Sequence, residues 1–323
     1  MTVLPHEWFL LILLLFSVLV YCIVVAAVLK YRNLTPFNNA FFTLVLSCAV
    51  FDLSHLFADW VLTKFVRFGW LWLDVLALSA PIRLAEVSTA LWWYTAFGQK
   101  VGVVLTAVNR YSVIVHDFVW TGKKTKFLIL SHWLIPVVLM VVQMPSGLIY
   151  AFDNSTHTSI LTWDGMGEGE FYTSFCFWVC SILGVACGLC YRKVFRKTRQ
   201  HAQQVVTNSA TNSKRSIARH RADLRLAVVG AILTSLTFVC GPFCGLLAST
   251  RHPLILAALV PIRDTIFDLY AWVNPYLLLI CSKSVRDRSV AFLTGKQLKT
   301  RNANFNTTKA RSVVKQNAVT PVG

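Results

Sequence analysis

Seven stretches of this chain are each about 20 or more residues long and mainly apolar. They lie near Trp8–Leu29, Asn39–Val61, Glu86–Ile114, Phe127–Tyr150, Phe171–Tyr191, Leu224–Ser249 and Leu254–Cys281. A helix rises about 1.5 Å per residue and a hydrocarbon core is about 30 Å thick, so each is long enough to cross a bilayer. Inside lipid a chain must satisfy its own backbone hydrogen bonds, which leaves helices as the reading for runs of this length. The sequence therefore predicts an all-α fold, a seven-transmembrane helix bundle. The run Gly69–Ala80 has only 12 residues and carries Asp74, so it is read as an interfacial or loop helix.

Charge sets the expected orientation. Lys and Arg number 31 against 14 Asp and Glu, for a net charge of +17. A basic excess can signal nucleic acid, but position argues otherwise. The connecting segments Lys30–Asn38, Arg110–Lys126, Arg192–Arg225 and Lys283–Gly323 hold 2, 4, 10 and 9 of these cations, 25 of the 31. The alternate loop Ala151–Glu170 has four acids and no Lys or Arg. The positive-inside rule then predicts an outside N-terminus and a cytoplasmic C-terminus. The basic segments are expected to contact membrane lipids, and no nucleic-acid partner is expected.

The first apolar run lacks a basic leader and a small-residue cleavage site, and is read as a retained helix. Asn154-Ser155-Thr156 is a glycosylation sequon in a loop expected outside. All nine cysteines fall in or at the ends of apolar segments, so an extracellular disulfide framework is not expected. They are read as small buried hydrophobes, and no metal site is expected.

Four motifs occur in a telling order. "AVNRYSVIVH" (Ala107–His116) closes the third segment, "LSCAVFDL" (Leu46–Leu53) lies in the second, "HWLIP" (His132–Pro136) in the fourth, and "WVNPYLLLI" (Trp272–Ile280) in the seventh. Together they resemble the D-R-Y, helix 2 aspartate, helix 4 tryptophan and N-P-x-x-Y signatures of the rhodopsin-like G-protein-coupled receptors. The chain also departs from that pattern. Asn109 stands in the Asp position of D-R-Y, Leu278 stands at the usual tyrosine, and helix 1 lacks the usual asparagine. Helix 6 keeps Pro242 without a preceding tryptophan, helix 5 has no proline, and the usual helix 3 disulfide cysteines are missing. This combination is similar to the nematode serpentine chemoreceptors of the class V and class G group.

The resemblance implies a receptor domain over residues 1–295, with a short amphipathic helix after helix 7, and a disordered cytoplasmic tail over 296–323. It implies a small-molecule ligand and a heterotrimeric G protein as partners, with no cofactor. Asn109, Arg110 and Tyr111 would couple to the G protein, and Pro242 and Pro275 would kink helices 6 and 7. Plasma-membrane location follows, in sensory cilia for a chemoreceptor. The alternative is a polytopic transporter or channel, but no internal repeat or paired broken helices are seen. No H-E-x-x-H, nucleophile elbow or phosphate loop suggests an enzyme.

Ionisable residues at membrane depth are costly, by at least about 2.5 kcal/mol at a helix centre, and mark function. Lys100 lies about 15 Å along its helix from Arg110. Asp52, Gln99 and Asn274 are expected at the same depth. In the resembling family this layer holds a sodium ion, so one expectation is that the Lys100 ammonium takes its place as counter-charge to Asp52; the alternative is that Lys100 snorkels or faces a wet cavity without a partner. Nearer the other end, Glu86, Trp92, Trp93, Arg263, Asp264 and Asp268 are candidates for a ligand pocket. Asp268 occupies the position of the retinal-binding lysine of light receptors, which argues against a retinal Schiff base. Trp92 replaces the helix 3 aspartate of amine receptors, which argues against a classical monoamine ligand.

Overall fold

The computed structural model describes residues 5–34, 37–65, 84–143, 148–153, 158–163, 168–207, 213–249 and 253–295. The helices are α1 (Pro5–Lys30), α2 (Ala40–Asp59), α3 (Leu84–Val115), α4 (Lys123–Gln143), α5 (Glu168–Thr207), α6 (Ser213–Ser249), α7 (Pro253–Cys281) and α8 (Lys283–Thr294). Two antiparallel strands, β1 (Leu148–Asp153) and β2 (Thr158–Trp163), form a hairpin between α4 and α5. Among the described residues five helices carry apolar spans, Trp8–Lys30, Ala40–Leu62, Lys123–Val142, Ser174–Gln200 and Ala227–Leu246, and the bent pair Thr265–Cys281 and Lys283–Thr294 makes a sixth if taken as one span. The expected helix bundle is present, and the hairpin between α4 and α5 ends the fourth helix at Gln143, short of Tyr150. The glycosylation candidate Asn154, the Gly69–Ala80 run and the 296–323 tail lie outside the described residues.

The bundle is inverted relative to a water-soluble one. Trp178, Ile182, Val185 and Leu189 of α5 are exposed at helical spacing, as are Phe127, Leu130, Leu134, Val138 and Val141 of α4. These stripes suit lipid. Asp52, His55, Asp59, Lys64, Gln99, Lys100, His132 and Asp268 are all buried. The long basic stretch between the fifth and sixth spans is mostly helix, since α5 runs to Thr207 and α6 starts at Ser213.

Local chemistry fixes the helix ends. Asn39 caps α2 by accepting from the Phe42 N–H at 3.1 Å. The α7 and α8 axes meet at 97°. Ser282 Oγ accepts from the Val285 N–H, and Arg286 donates to the Leu279 and Ile280 carbonyls at 3.2 Å each. Those carbonyls have no further helical turn to receive them, so the arginine satisfies groups that the break would orphan. Gly295 ends α8 in the left-handed region, at φ 64°.

Between helices, small residues and hydrogen bonds act together. His132 of α4 bonds the Gly98 carbonyl of α3 through Nε2 at 2.9 Å and Ser47 of α2 through Nδ1 at 2.8 Å. A carbonyl only accepts, so Nε2 carries the proton; in the neutral ring Ser47 then donates to Nδ1. Trp133 Nε1 donates to the same Ser47 oxygen at 3.0 Å. The tryptophan of the fourth-helix motif thus helps tie three helices together.

Gly98 permits the α2–α3 approach. A Cβ there would fall 2.0 Å from the Phe51 ring. Gly98→Ala should destabilise the purified protein by about 1–3 kcal/mol, as overpacking does. Thermal unfolding in detergent measures this, and an unchanged midpoint would refute the close fit.

Candidate functional site

Asp52 organises the middle of the bundle. It accepts a hydrogen bond from the Tyr21 hydroxyl of α1 and one from Asn274 Nδ2 of α7 at 2.8 Å. Tyr21 therefore serves where the helix 1 asparagine was missed. Gln99 is buried beside this carboxylate, with neither amide atom in hydrogen-bonding geometry. Nearby, Tyr276 of α7 meets Ser17 of α1 at 3.0 Å between hydroxyl oxygens.

Lys100 corrects the expectation of an Asp52 ion pair. Its ammonium is buried without a hydrogen-bond partner. It lies 3.9 Å from the Tyr270 ring centroid and 4.5 Å from that of Phe267. The reason is angular. Adjacent helical residues point about 100° apart, so when Gln99 faces Asp52 its neighbour faces α7's aromatic rings. Those faces attract a cation through their quadrupoles.

The ion pairs lie elsewhere, toward the opposite end from Arg110. Beyond Asp59 the backbone of α2 widens into a π-helical turn, Trp60–Lys64. Residues five apart are then brought one above the other. Lys64 Nζ contacts Asp59 at 2.7 Å and also bonds Asp268 of α7. Its ammonium lies 4.5 Å from the Trp60 ring centroid. Trp92 Nε1 of α3 donates to Asp59 Oδ1 at 2.9 Å. One cation, two carboxylates and an indole thus bind α2, α3 and α7.

Aromatic rings wall this cluster. Trp92 packs against Trp93 at 4.8 Å, Phe267 at 5.1 Å and His55 at 5.3 Å between centroids. Of the predicted pocket residues, the structure brings Trp92, Trp93 and Asp268 together. Glu86 lies on α3, and Arg263 and Asp264 on α7, but their side chains are outside those described. Lys64 was missed in the sequence because a Lys five residues after an Asp is not an α-helical pair.

At the other end, Asn109 is buried and Arg110 is 7% exposed. The Arg110 guanidinium carbon stacks 3.7 Å from the centroid of Phe41, near the start of α2. The Tyr111 hydroxyl meets His116 Nε2 at 3.0 Å. Between this end and Asp52 lies a small cavity of about 30 Å³, bordered by Tyr21, Cys48, Thr106, Tyr191 and Asn274. Among the described residues no group of three or more His, Cys, Asp or Glu is arranged to hold a metal.

The bundle defines a class: this is a seven-helix membrane protein with the rhodopsin fold. Squid rhodopsin superposes with a TM-score of 0.63 at 13% identity, over 97% of this chain and 91% of that one. The family follows from the sequence profile described as "Serpentine type 7TM GPCR chemoreceptor Srv", which matches residues 10–294. The chain belongs to that serpentine chemoreceptor family of G-protein-coupled receptors and is a multi-pass membrane protein. "Serpentine receptor class V-1" of Caenorhabditis elegans is 23% identical over 180 residues. That similarity covers 53% of this chain and 56% of the relative.

Lys64→Met should cost about 3–5 kcal/mol, because it strands two buried carboxylates. Lys100→Met should cost less, since it breaks no ion pair. Comparing thermal midpoints of the two variants tests the assignment; an equal or larger loss for Lys100→Met would reverse it.

Proposed function

We propose that this chain is a chemosensory receptor that binds a small molecule in the outer half of the bundle and activates a heterotrimeric G protein through its Arg110 end. The orientation adopted is the one given by loop charge, with the N-terminus outside and the basic segments facing the cytoplasm. One observation carries the reading: a buried ionic cluster joins α2, α3 and α7 at the end opposite Arg110. A ligand that changes contacts in this cluster acts on three helices at once. Asp52 extends the connection to α1, and α7 and α2 reach the Arg110 end directly.

Trp92, Trp93 and Asp268 supply an apolar wall with a polar anchor, the chemistry of a small-molecule site. Glu86, Arg263 and Asp264 are its proposed rim. Asn109, Arg110 and Tyr111 form the coupling surface, Pro242 and Pro275 supply helix kinks, and Asn154 carries glycan. The basic ends of α5, α6 and α8 rest against anionic lipid. The receptor resides in the plasma membrane of sensory cilia, with residues 1–295 as the receptor domain and 296–323 as its cytoplasmic tail.

Position 109 is an asparagine, and the stacking of Arg110 on Phe41 helps to hold the resting arrangement. A cation–π contact of this kind contributes about 0.5–2 kcal/mol. Phe41→Leu should therefore raise ligand-free nucleotide exchange on a reconstituted G protein, and Asn109→Asp should lower it. Unchanged basal exchange in both variants would refute the resting role. Screening volatile and secreted metabolites for stimulated exchange tests the receptor reading itself, with Arg110→Ala expected to abolish the response. Ligand-evoked current without G protein would overturn it in favour of a channel.

A further inference from the structure

Among the described side chains, the cluster around Lys64 sets two carboxyl groups on one ammonium. Asp59 and Asp268 share one cation. Two hydrogen-bond acceptors in this region are also unused. Asp268 Oδ1 is fully buried without a partner, and so is His55 Nε2.

The protonation of His55 follows from its surroundings. Thr95 Oγ1 lies 2.8 Å from the Leu91 carbonyl and 3.0 Å from that of Trp92, and donates its proton there. The His55 Nδ1 contact to Thr95 at 3.1 Å must then be an N–H donated to that oxygen. In the neutral ring this leaves Nε2 as a bare acceptor. His55 lies one helical turn before Asp59, on the same face of α2. Its ring sits 5.3 Å from Trp92 and 6.2 Å from Phe267, the residue preceding Asp268.

We propose that this region binds a small protonated amine. A ligand ammonium supplies the missing positive charge and has N–H groups for both unused acceptors, Asp268 Oδ1 and His55 Nε2. Trp92 and Phe267 offer aromatic faces to the cation and its alkyl part. Lys64 shows the same recognition within the chain, since its own ammonium is held by carboxylates and the Trp60 ring. An aspartate at the Trp92 position is not needed, because α2 and α7 provide the carboxylates. This inference rests on the outer half of the bundle being the ligand site, and it names the ligand's chemical class.

The test is binding to the purified full-length receptor at pH 7 and constant ionic strength, so no G protein is involved. Thermal unfolding is measured with n-butylammonium, n-butanol or butyrate, which share a chain and differ in charge. The expected result is a concentration-dependent rise in the unfolding midpoint with n-butylammonium alone. Asp268→Asn removes the excess charge and should weaken that effect at least about tenfold in concentration, the loss expected for a charged hydrogen bond. His55→Phe should weaken it as well. Equal shifts with the ammonium and the alcohol in the unmodified receptor overturn the proposal even if neither variant folds. So does a shift with butyrate alone, which would point to Lys100. An undiminished ammonium effect in Asp268→Asn also overturns it. Failure here with metabolite-driven nucleotide exchange intact would remove the amine and leave the receptor reading standing.

Discussion

A polar group inside a bilayer has no water to turn to, and this bundle is arranged around that constraint. Its lipid-facing stripes on α4 and α5 are apolar, whereas its interior contains aspartates, lysines, histidines and amides. Most of these groups find a partner on another helix. Asp52 connects α1, α2 and α7, His132 connects α2, α3 and α4, and Lys64 connects α2 with α7. Without a hydrophobic force to press helices together in lipid, such bonds and the close approach at Gly98 decide which helices meet.

The same constraint gives meaning to the exceptions. Lys100 is surrounded by ring faces rather than acceptors, which lowers the cost of its charge without removing it. His55 Nε2 and Asp268 Oδ1 keep unused acceptor capacity. These two unused acceptors lie in the half of the bundle where the aromatic walls are. At the other end, the Arg110 guanidinium stacks on the Phe41 ring. In both places an aromatic face lies against a cation.

The helices and their order were legible because each needs only local information. Twenty apolar residues make a span wherever they occur, and the motif of each helix lies within that helix. Asp52, Asn274 and Trp133 were legible for the same reason, and the Asp52–Asn274 contact follows the expected depth. The hairpin was not legible, since its two strands carry no distinctive alternation beside much longer apolar runs. Lys64 was not legible either. An α-helical spacing sets Asp59 and Lys64 about 140° apart, and only the π turn at Trp60–Lys64 aligns them. Tyr21 gave no signal, because a tyrosine in an apolar helix reads as packing until its hydroxyl is seen on Asp52.

The sequence by itself determined that this chain crosses a membrane repeatedly, which helices carry its polar residues, and which family it joins. Those properties depend on length, composition and motifs along the chain. Only the tertiary structure decided how the charges are partnered. Depth can be counted along one helix, but direction depends on rotation about its axis. That rotation placed Lys100 against rings and gave Asp268 to Lys64, a residue whose own direction was set by one widened turn.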